Sequence, residues 1–278
     1  MRPHRFHQLD VFTGVPLRGN PLAVVHDAQG LSDAQMADFA RWTNLSETTF
    51  LLPTTDTAAD YRVRIFTPGG ELPFAGHPTL GSCFAWLAAG GRARSEAVVV
   101  QECVVGLVRV KRDGARLAFA APPLRRSGPL EAEVLAQIVT SLKIDTGEVL
   151  HHQWVDNGPG WCAVMLATGE RVRGLTPDFA AMGALKLGVI GAQAAGAATQ
   201  FEVRAFVPAL SVFEDPVTGS LNAGLAQWLI GAGLAPASYV AAQGFALGRD
   251  GRVHVQQDGA DIWIGGEVVP LIEGTVRL

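Results

Sequence analysis

Three side chains in this 278-residue sequence have types and settings suited to moving a proton: Glu47, His77 and Asp215. Glu47 lies in Asn44-Leu45-Ser46-Glu47-Thr48-Thr49-Phe50, at a predicted junction of helix and strand. A carboxylate there is ordinarily a solvated surface group. Buried near a domain interface, its pKa rises and it becomes a general acid or base. His77 and Asp215 each precede a proline at a predicted helix start, in Gly76-His77-Pro78-Thr79 and in Glu214-Asp215-Pro216-Val217-Thr218-Gly219-Ser220. Free N–H groups and the positive end of the helix dipole favour an anion at such a start. Two starts converging would hold one small carboxylate substrate. Plainer readings stand beside this one. Asp is a common N-cap, Pro is welcome at the first helical position, and His77 reads equally as a structural turn residue. Asn20, before Pro21 at the end of the Gly14–Pro21 loop, reads as a turn or as a substrate contact.

The elements that must position these residues come in two sets. Val63-Arg64-Ile65-Phe66-Thr67-Pro68 reappears as Val203-Arg204-Ala205-Phe206-Val207-Pro208, and Asp38-Phe39-Ala40 and Ala23-Val24 reappear as Asp178-Phe179-Ala180 and Ala163-Val164, each 140 residues on. His77-Pro78 and Gly81-Ser82 align with Asp215-Pro216 and Gly219-Ser220 at a shift of 138, and Trp86-Leu87 with Trp228-Leu229 at 142. Matches in one order at nearly one shift indicate two halves on the same plan. The boundary is placed at 126/127, with the last strand free to cross to the first half. Each half reads as several strands around one apolar helix: residues 78–89 in the first, and Pro216 to Ile230 in the second. Further helices are expected over Leu31–Trp42 and from Thr176. At position 187, the counterpart of Glu47, stands a leucine, so the symmetry breaks there.

Composition narrows the partners. With 22 Lys+Arg against 26 Asp+Glu, the net charge is −4 and no basic face is available for nucleic acid. Three cysteines, Cys83, Cys103 and Cys162, make no disulfide framework and fit a reducing cytoplasm. The N-terminus lacks the apolar core of a signal peptide, and Lys186, Gln193 and four glycines interrupt the weakly polar stretch 179–198. A soluble cytoplasmic protein without a membrane partner is expected.

With these residues in hand, the sequence resembles the PhzF-type family of phenazine-biosynthesis isomerase-like proteins. The resemblance is carried by Asp10-Val11-Phe12-Thr13, Gly19-Asn20-Pro21-Leu22-Ala23-Val24-Val25, Leu45-Ser46-Glu47-Thr48-Thr49-Phe50, Arg64-Ile65-Phe66-Thr67-Pro68, Glu71-Leu72-Pro73-Phe74-Ala75-Gly76-His77-Pro78-Thr79, Asp156-Asn157-Gly158-Pro159 and the Glu214–Ser220 segment. It implies an α+β, diaminopimelate epimerase-like fold: two pseudo-symmetric half-barrels, each a curved, mostly antiparallel sheet around a central helix. It further implies a homodimer and no cofactor or metal. By the same resemblance Glu47 matches the family's proton-shuttling carboxylate, in an isomerisation of dihydro-hydroxyanthranilate type. His77 and Asp215 would assist proton movement, and Asn20, Ser46, Gly76, Gly219 and Ser220 would bind substrate. The chain departs from the family at Ala209-Leu210-Ser211-Val212-Phe213 and at Leu221-Asn222. Both departures lie near the predicted pocket and bear on the substrate more than on the reaction.

Three other readings compete with this one. A two-base racemase or epimerase needs one thiolate from each half, but no two cysteines lie near 140 residues apart and neither helix start carries one. A Ser–His–Asp hydrolase built from Ser220, His77 and Asp215 lacks the Gly-x-Ser-x-Gly elbow. A non-catalytic carboxylate-binding protein on the same scaffold is left open by the sequence.

Overall fold

The chain is described here by a computed structural model covering residues 2–210 and 212–278. It divides into two compact units: the chain up to Ala120 together with Gly265–Leu278, and Ala121–Ile264. The division thus falls at 120/121 rather than 126/127, and the chain returns to the first unit at Gly265.

The first unit contains β1 (Pro3–Val11), β2 (Asn20–Val25), α1 (Asp33–Thr43), β3 (Glu47–Leu52), β4 (Tyr61–Thr67), β5 (Gly70–Leu72), α2 (Gly76–Ala88), β6 (Val98–Cys103), β7 (Gly106–Asp113) and β8 (Arg116–Ala120). The second contains α3 (Ala132–Leu142), β9 (His151–Trp154), β10 (Trp161–Leu166), α4 (Gly169–Arg173), α5 (Phe179–Met182), β11 (Lys186–Ala192), β12 (Phe201–Val207), β13 (Val212–Asp215), α6 (Gly219–Gly231), β14 (Ser238–Gln243) and β15 (Gly251–Asp258). The last strand, β16 (Asp261–Arg277), starts in the second unit and ends in the first.

In the first unit the strand order is β1-β2-β3-β4-β6-β7-β8-β16, and β16 also pairs with β1, so the sheet closes on itself. Helix α2 touches β1, β2, β3, β4, β6 and β8, which places it inside this ring. Its sequence suits that place: Leu80, Cys83 and Ala85 are fully buried and the first turn carries no charge. An amphipathic helix could not be surrounded in this way. Outside the ring, α1 is capped by Ser32 and packs Met36, Phe39 and Ala40 onto Phe50 and Phe66.

The second unit repeats the plan. Its order is β9-β10-β11-β12-β14-β15-β16, with β10–β11 and β12–β14 parallel, like β2–β3 and β4–β6. The 140-residue shift holds for one ladder and slips by one residue in another. Tyr61 faces Gln101 and Phe201 faces Ala241, whereas Thr48 faces Phe66 and Leu187 faces Phe206. Strand β3 therefore corresponds to β11 at a shift of 139, and the structural counterpart of Glu47 is Lys186 rather than Leu187. The core helices are both thirteen residues long.

At those helices the sequence alignment fails. Leu72 pairs with Ile65 and Glu71 with Phe66, whereas Asp215 pairs with Ala205 and Glu214 with Phe206. Leu72 therefore corresponds to Asp215, at a shift of 143, and Gly76-His77 corresponds to Gly219-Ser220. The 138-residue matches His77-Pro78/Asp215-Pro216 and Gly81-Ser82/Gly219-Ser220 are wrong by five residues. Shared Pro and Gly-Ser letters misled the alignment, because the β12–β13 connection is longer than its partner. The ion pairs confirm the corrected frame: Arg64 binds Glu71 and Arg204 binds Glu214, each through two nitrogens.

Other expectations also change. No long helix starts at Thr176; α5 begins at Phe179, capped by the Asp178 side chain on Ala181 N, and ends at Met182. The second core helix starts at Gly219, not Pro216. The chain closes with one seventeen-residue strand, β16. Its Pro270 is tolerated where the β1–β16 register slips between Gln8 and Leu9.

Candidate active site

In the first unit, three of the sequence candidates meet because each begins an element. Asn20 is the first residue of β2, Glu47 the first of the parallel neighbour β3, and His77 the second of α2. Asn20 is placed by the turn before it. Gly19 N donates to Asp10 Oδ2 at 3.0 Å, and a Cβ on Gly19 would lie 2.2 Å from the Val11 carbonyl oxygen. Glu47 is placed by Asn44, whose left-handed conformation (φ 52°) ends α1 and turns the chain through Leu45 and Ser46. The Thr43 and Thr48 hydroxyls, 3.0 Å apart, staple that turn.

His77 stands between the other two. Its Nε2 lies 3.3 Å from Glu47 Oε2, and its Nδ1 lies 3.3 Å from Asn20 Nδ2. The imidazole is buried, and Glu47 keeps 15% of its side chain exposed, enough to reach a ligand. Burial pushes the His77 pKa down to about 3, against a smaller upward pull from the Pro21 carbonyl. The ring is therefore neutral near pH 7. The start of α2 adds a second feature: its N-cap, Ala75, offers no side-chain bond, unlike Ser32 on α1 or Asp178 on α5. Amides left without a cap, with the helix dipole behind them, favour an anion. Gly76 is buried at this start, and Ser46 lies half-buried beside Glu47 in sequence.

The second unit brings together Asp215, Gly219 and Ser220. Asp215 ends β13 and is not a helix cap; the N-cap is Thr218, which makes no side-chain cap bond. Thr218 Oγ1 instead donates to Asp215 Oδ2 at 2.6 Å. Ser220 occupies the slot that His77 fills in the first unit. Its hydroxyl accepts from Trp161 Nε1 at 3.0 Å, and its carbonyl accepts from Asn157 Nδ2 at 2.8 Å. That bond gives the Asp156-Asn157-Gly158-Pro159 motif a role: it clamps the first turn of α6. Asn222, a departure from the family pattern, donates to the Thr218 carbonyl at 2.9 Å. The other departure, Ala209–Phe213, includes Ser211, which lies outside the described residues.

Asp10 and Gln243 were missed as positioning residues. The available signal was a polar side chain at the end of an apolar strand, in Leu9-Asp10-Val11 and Ala241-Ala242-Gln243-Gly244. The three thiols have no such placement. All are buried, which pushes Cys83 and Cys162 up to about 12 and raises Cys103. Cys83 is the eighth residue of α2, a full two turns from its start. Thiolate chemistry of the racemase type has no group to carry it among these residues.

Residues 9–274 match the family model for phenazine biosynthesis-like proteins. The chain belongs to this family. Among phenazine biosynthesis-like relatives, the trans-2,3-dihydro-3-hydroxyanthranilate isomerase of Pseudomonas aeruginosa is 34% identical, over 97% of this chain and 94% of that protein. The antisense-enhancing sequence 1 protein of Schizosaccharomyces pombe is also 34% identical, over 99% of each chain. Among solved structures, a PhzF family protein from Enterococcus faecalis superposes with a TM-score of 0.83 at 25% identity over the whole of both chains. A hydroxyproline epimerase from Agrobacterium vitis shares the fold at a TM-score of 0.59 and 16% identity, over 99% of this chain and 92% of that one. This phenazine biosynthesis-like protein is an isomerase of PhzF type on an epimerase-like fold. Among the described residues, no helix is long and apolar enough to cross a membrane, and no group of three or more His, Cys, Asp or Glu side chains is arranged to hold a metal.

Proposed function

We propose that this chain shifts a proton on a small carboxylate substrate of dihydro-hydroxyanthranilate type, without a cofactor, with Glu47 as the proton carrier. One observation carries the reading: Glu47 Oε2 sits 3.3 Å from Nε2 of a buried, neutral His77, at the uncapped start of a helix. A carboxylate so placed removes a proton from an sp³ carbon of the substrate. The electron pair of that C–H bond moves into the conjugated system. The resulting Glu47 carboxylic acid, partly exposed, exchanges its proton with water and then protonates a distal carbon. Atoms and charge balance, and neither oxidant nor reductant is consumed.

The neighbours suit this cycle. A neutral His77 accepts or supplies one proton without pairing permanently with Glu47, as an imidazolium would. Amides at the α2 start stabilise the substrate carboxylate or the charge that develops as the C–H bond breaks. Asn20, Ser46 and Gly76 bind substrate around Glu47. Asp215 assists proton movement, and Gly219 and Ser220 contribute contacts from the start of α6. The functional molecule is a homodimer, as the family resemblance implies, working in the cytoplasm with no nucleic-acid or membrane partner. Names of two relatives, trans-2,3-dihydro-3-hydroxyanthranilate isomerase, support the substrate class.

The test uses that compound. Wild-type protein in heavy water should convert trans-2,3-dihydro-3-hydroxyanthranilate and deliver product with deuterium on the distal carbon. Tight carboxylate binding without conversion or exchange would contradict the reading.

A further inference from the structure

Gln243 ends β14 with its side chain buried, and its carboxamide makes four hydrogen bonds. Oε1 accepts from Thr218 N at 3.1 Å and from Asn222 Nδ2 at 2.9 Å. Nε2 donates to the Asp215 carbonyl at 3.1 Å and to Thr218 Oγ1 at 2.9 Å. Four is the full capacity of a primary carboxamide.

The directions are forced. A backbone N–H can only donate and a backbone carbonyl can only accept. Oε1 must therefore face Thr218 N, and Nε2 must face the Asp215 carbonyl. Because Nε2 also donates to Thr218 Oγ1, the hydroxyl's own proton is turned to its other neighbour, Asp215 Oδ2, at 2.6 Å. One amide thus orients one hydroxyl, which orients one carboxylate.

The backbone makes room for this chain. Gly244 has φ +98°, and a Cβ there would lie 2.7 Å from the Pro216 carbonyl oxygen. A Cβ on Gly251 would lie 2.3 Å from Val217 Cγ2. Residues 215–218 settle onto the β14–β15 connection because both positions are glycine.

The first unit shows what the arrangement looks like without a carboxylate at its end. Gln101 Nε2 donates to Thr79 Oγ1 at 3.1 Å, and Thr79 Oγ1 donates to the Ala75 carbonyl at 2.9 Å. Thr79 and Asn222 are both the fourth residue of their core helix. There the glutamine ties a helix start to the Tyr61 hydroxyl, which donates to Gln101 Oε1 at 2.9 Å. In the second unit a glutamine two residues further along its strand reaches a side-chain carboxylate.

We infer that Gln243 is a positioning residue for the isomerisation: through Thr218 it fixes the Asp215 carboxylate and the start of α6. The inference rests on the assignment of Asp215 to the proton transfer, and the experiment separates the two. Turnover of trans-2,3-dihydro-3-hydroxyanthranilate is measured for wild type, Asp215→Asn, Gln243→Glu, Thr218→Val, Thr218→Ser and the Asp215→Asn/Thr218→Val double variant, with folding checked by thermal melting.

Gln243→Glu removes both donations from Nε2, and Thr218→Val removes only the hydroxyl. Each should lower kcat roughly 10- to 100-fold, the scale of a misplaced catalytic group, and leave KM within about threefold. Thr218→Ser should recover most of the loss, and Thr218→Val should add nothing in the Asp215→Asn background. If Gln243→Glu does not fold, Thr218→Val reads the same relay. Wild-type kcat in folded Gln243→Glu or Thr218→Val, beside a slow Asp215→Asn, overturns the role of Gln243 alone. Wild-type kcat in Asp215→Asn, or an inert wild type, overturns the reading of Asp215 and the inference with it.

Discussion

His77 and Ser220 occupy the same position in the two units: each is the second residue of a thirteen-residue core helix whose N-cap side chain makes no capping bond to the helix. The slots around them have also diverged. Glu47 in the first unit corresponds to Lys186 in the second, and Leu72 in the first corresponds to Asp215. Each unit keeps one carboxylate near its helix start, at a different place. The Glu–His pair is accordingly confined to the first unit.

That asymmetry predicts unequal losses. His77→Asn removes the ring nitrogen beside Glu47 and should lower kcat about 100-fold, the scale of a general acid–base partner. Ser220→Ala removes one hydroxyl and should cost about tenfold or less, the worth of a single hydrogen bond. Steady-state kinetics on trans-2,3-dihydro-3-hydroxyanthranilate would measure both. Equal losses would contradict the asymmetry.

Buried histidines set the acid limit of stability. Burial lowers His26 to about 4 and His77 to about 3. His26 Nε2 lies 2.7 Å from His7 Nδ1, and His7 is lowered as well, again chiefly by burial. Below about pH 6.5 the unfolded chain binds protons at these residues that the folded chain refuses until about pH 4 and 3. Their contribution is therefore complete above pH 6.5 and shrinks as the pH falls, by up to about 1.4 kcal/mol per pH unit for each histidine. Urea unfolding at pH 7.5, 6.5 and 5.5 should show this decline, and His26→Asn should flatten it. Stability independent of pH across that range would contradict the account.

The two matched ion pairs should respond differently to the same change. Arg204 and Glu214 are each 6% exposed at the side chain, and Arg204 also donates to the Leu175 carbonyl at 2.7 Å. Arg64 and Glu71 are 18% and 30% exposed, and Arg64 has Asp33 as a second partner. Glu214→Gln strands a buried guanidinium and should destabilise by about 3 kcal/mol. Glu71→Gln should cost about 1 kcal/mol or less. Denaturant midpoints of the two variants check the difference.

Where sequence reading succeeded and failed follows from how each element is held. Strands whose pairing keeps the 140-residue shift, such as β4 and β12, were legible because both partners of each ladder carry the same apolar alternation. Glu47 and His77 were legible as residue types, but their contact depends on β2, β3 and α2 all starting at one end, which no local pattern states. The Asp215 slot was misaligned because three shared letters, Pro, Gly and Ser, outweighed a length change between β12 and the helix. Helix α3 has Leu135, Ile138 and Leu142 on one stripe. No segment of the first half matches it in sequence, so the repeat offered no guide to it. The apolar face of α3 takes, with α4 and α5, the place outside the sheet that α1 fills in the first unit.

The central claim, that Glu47 carries the proton, has a direct test. Glu47→Gln keeps the shape of the side chain and removes its basicity. Incubated in heavy water with trans-2,3-dihydro-3-hydroxyanthranilate, it should retain the wild-type melting temperature within a few degrees and lose conversion and deuterium incorporation by at least about 1,000-fold, within the range of a general acid–base contribution. A folded Glu47→Gln protein that still converts the compound and labels the product at the wild-type rate would contradict the account.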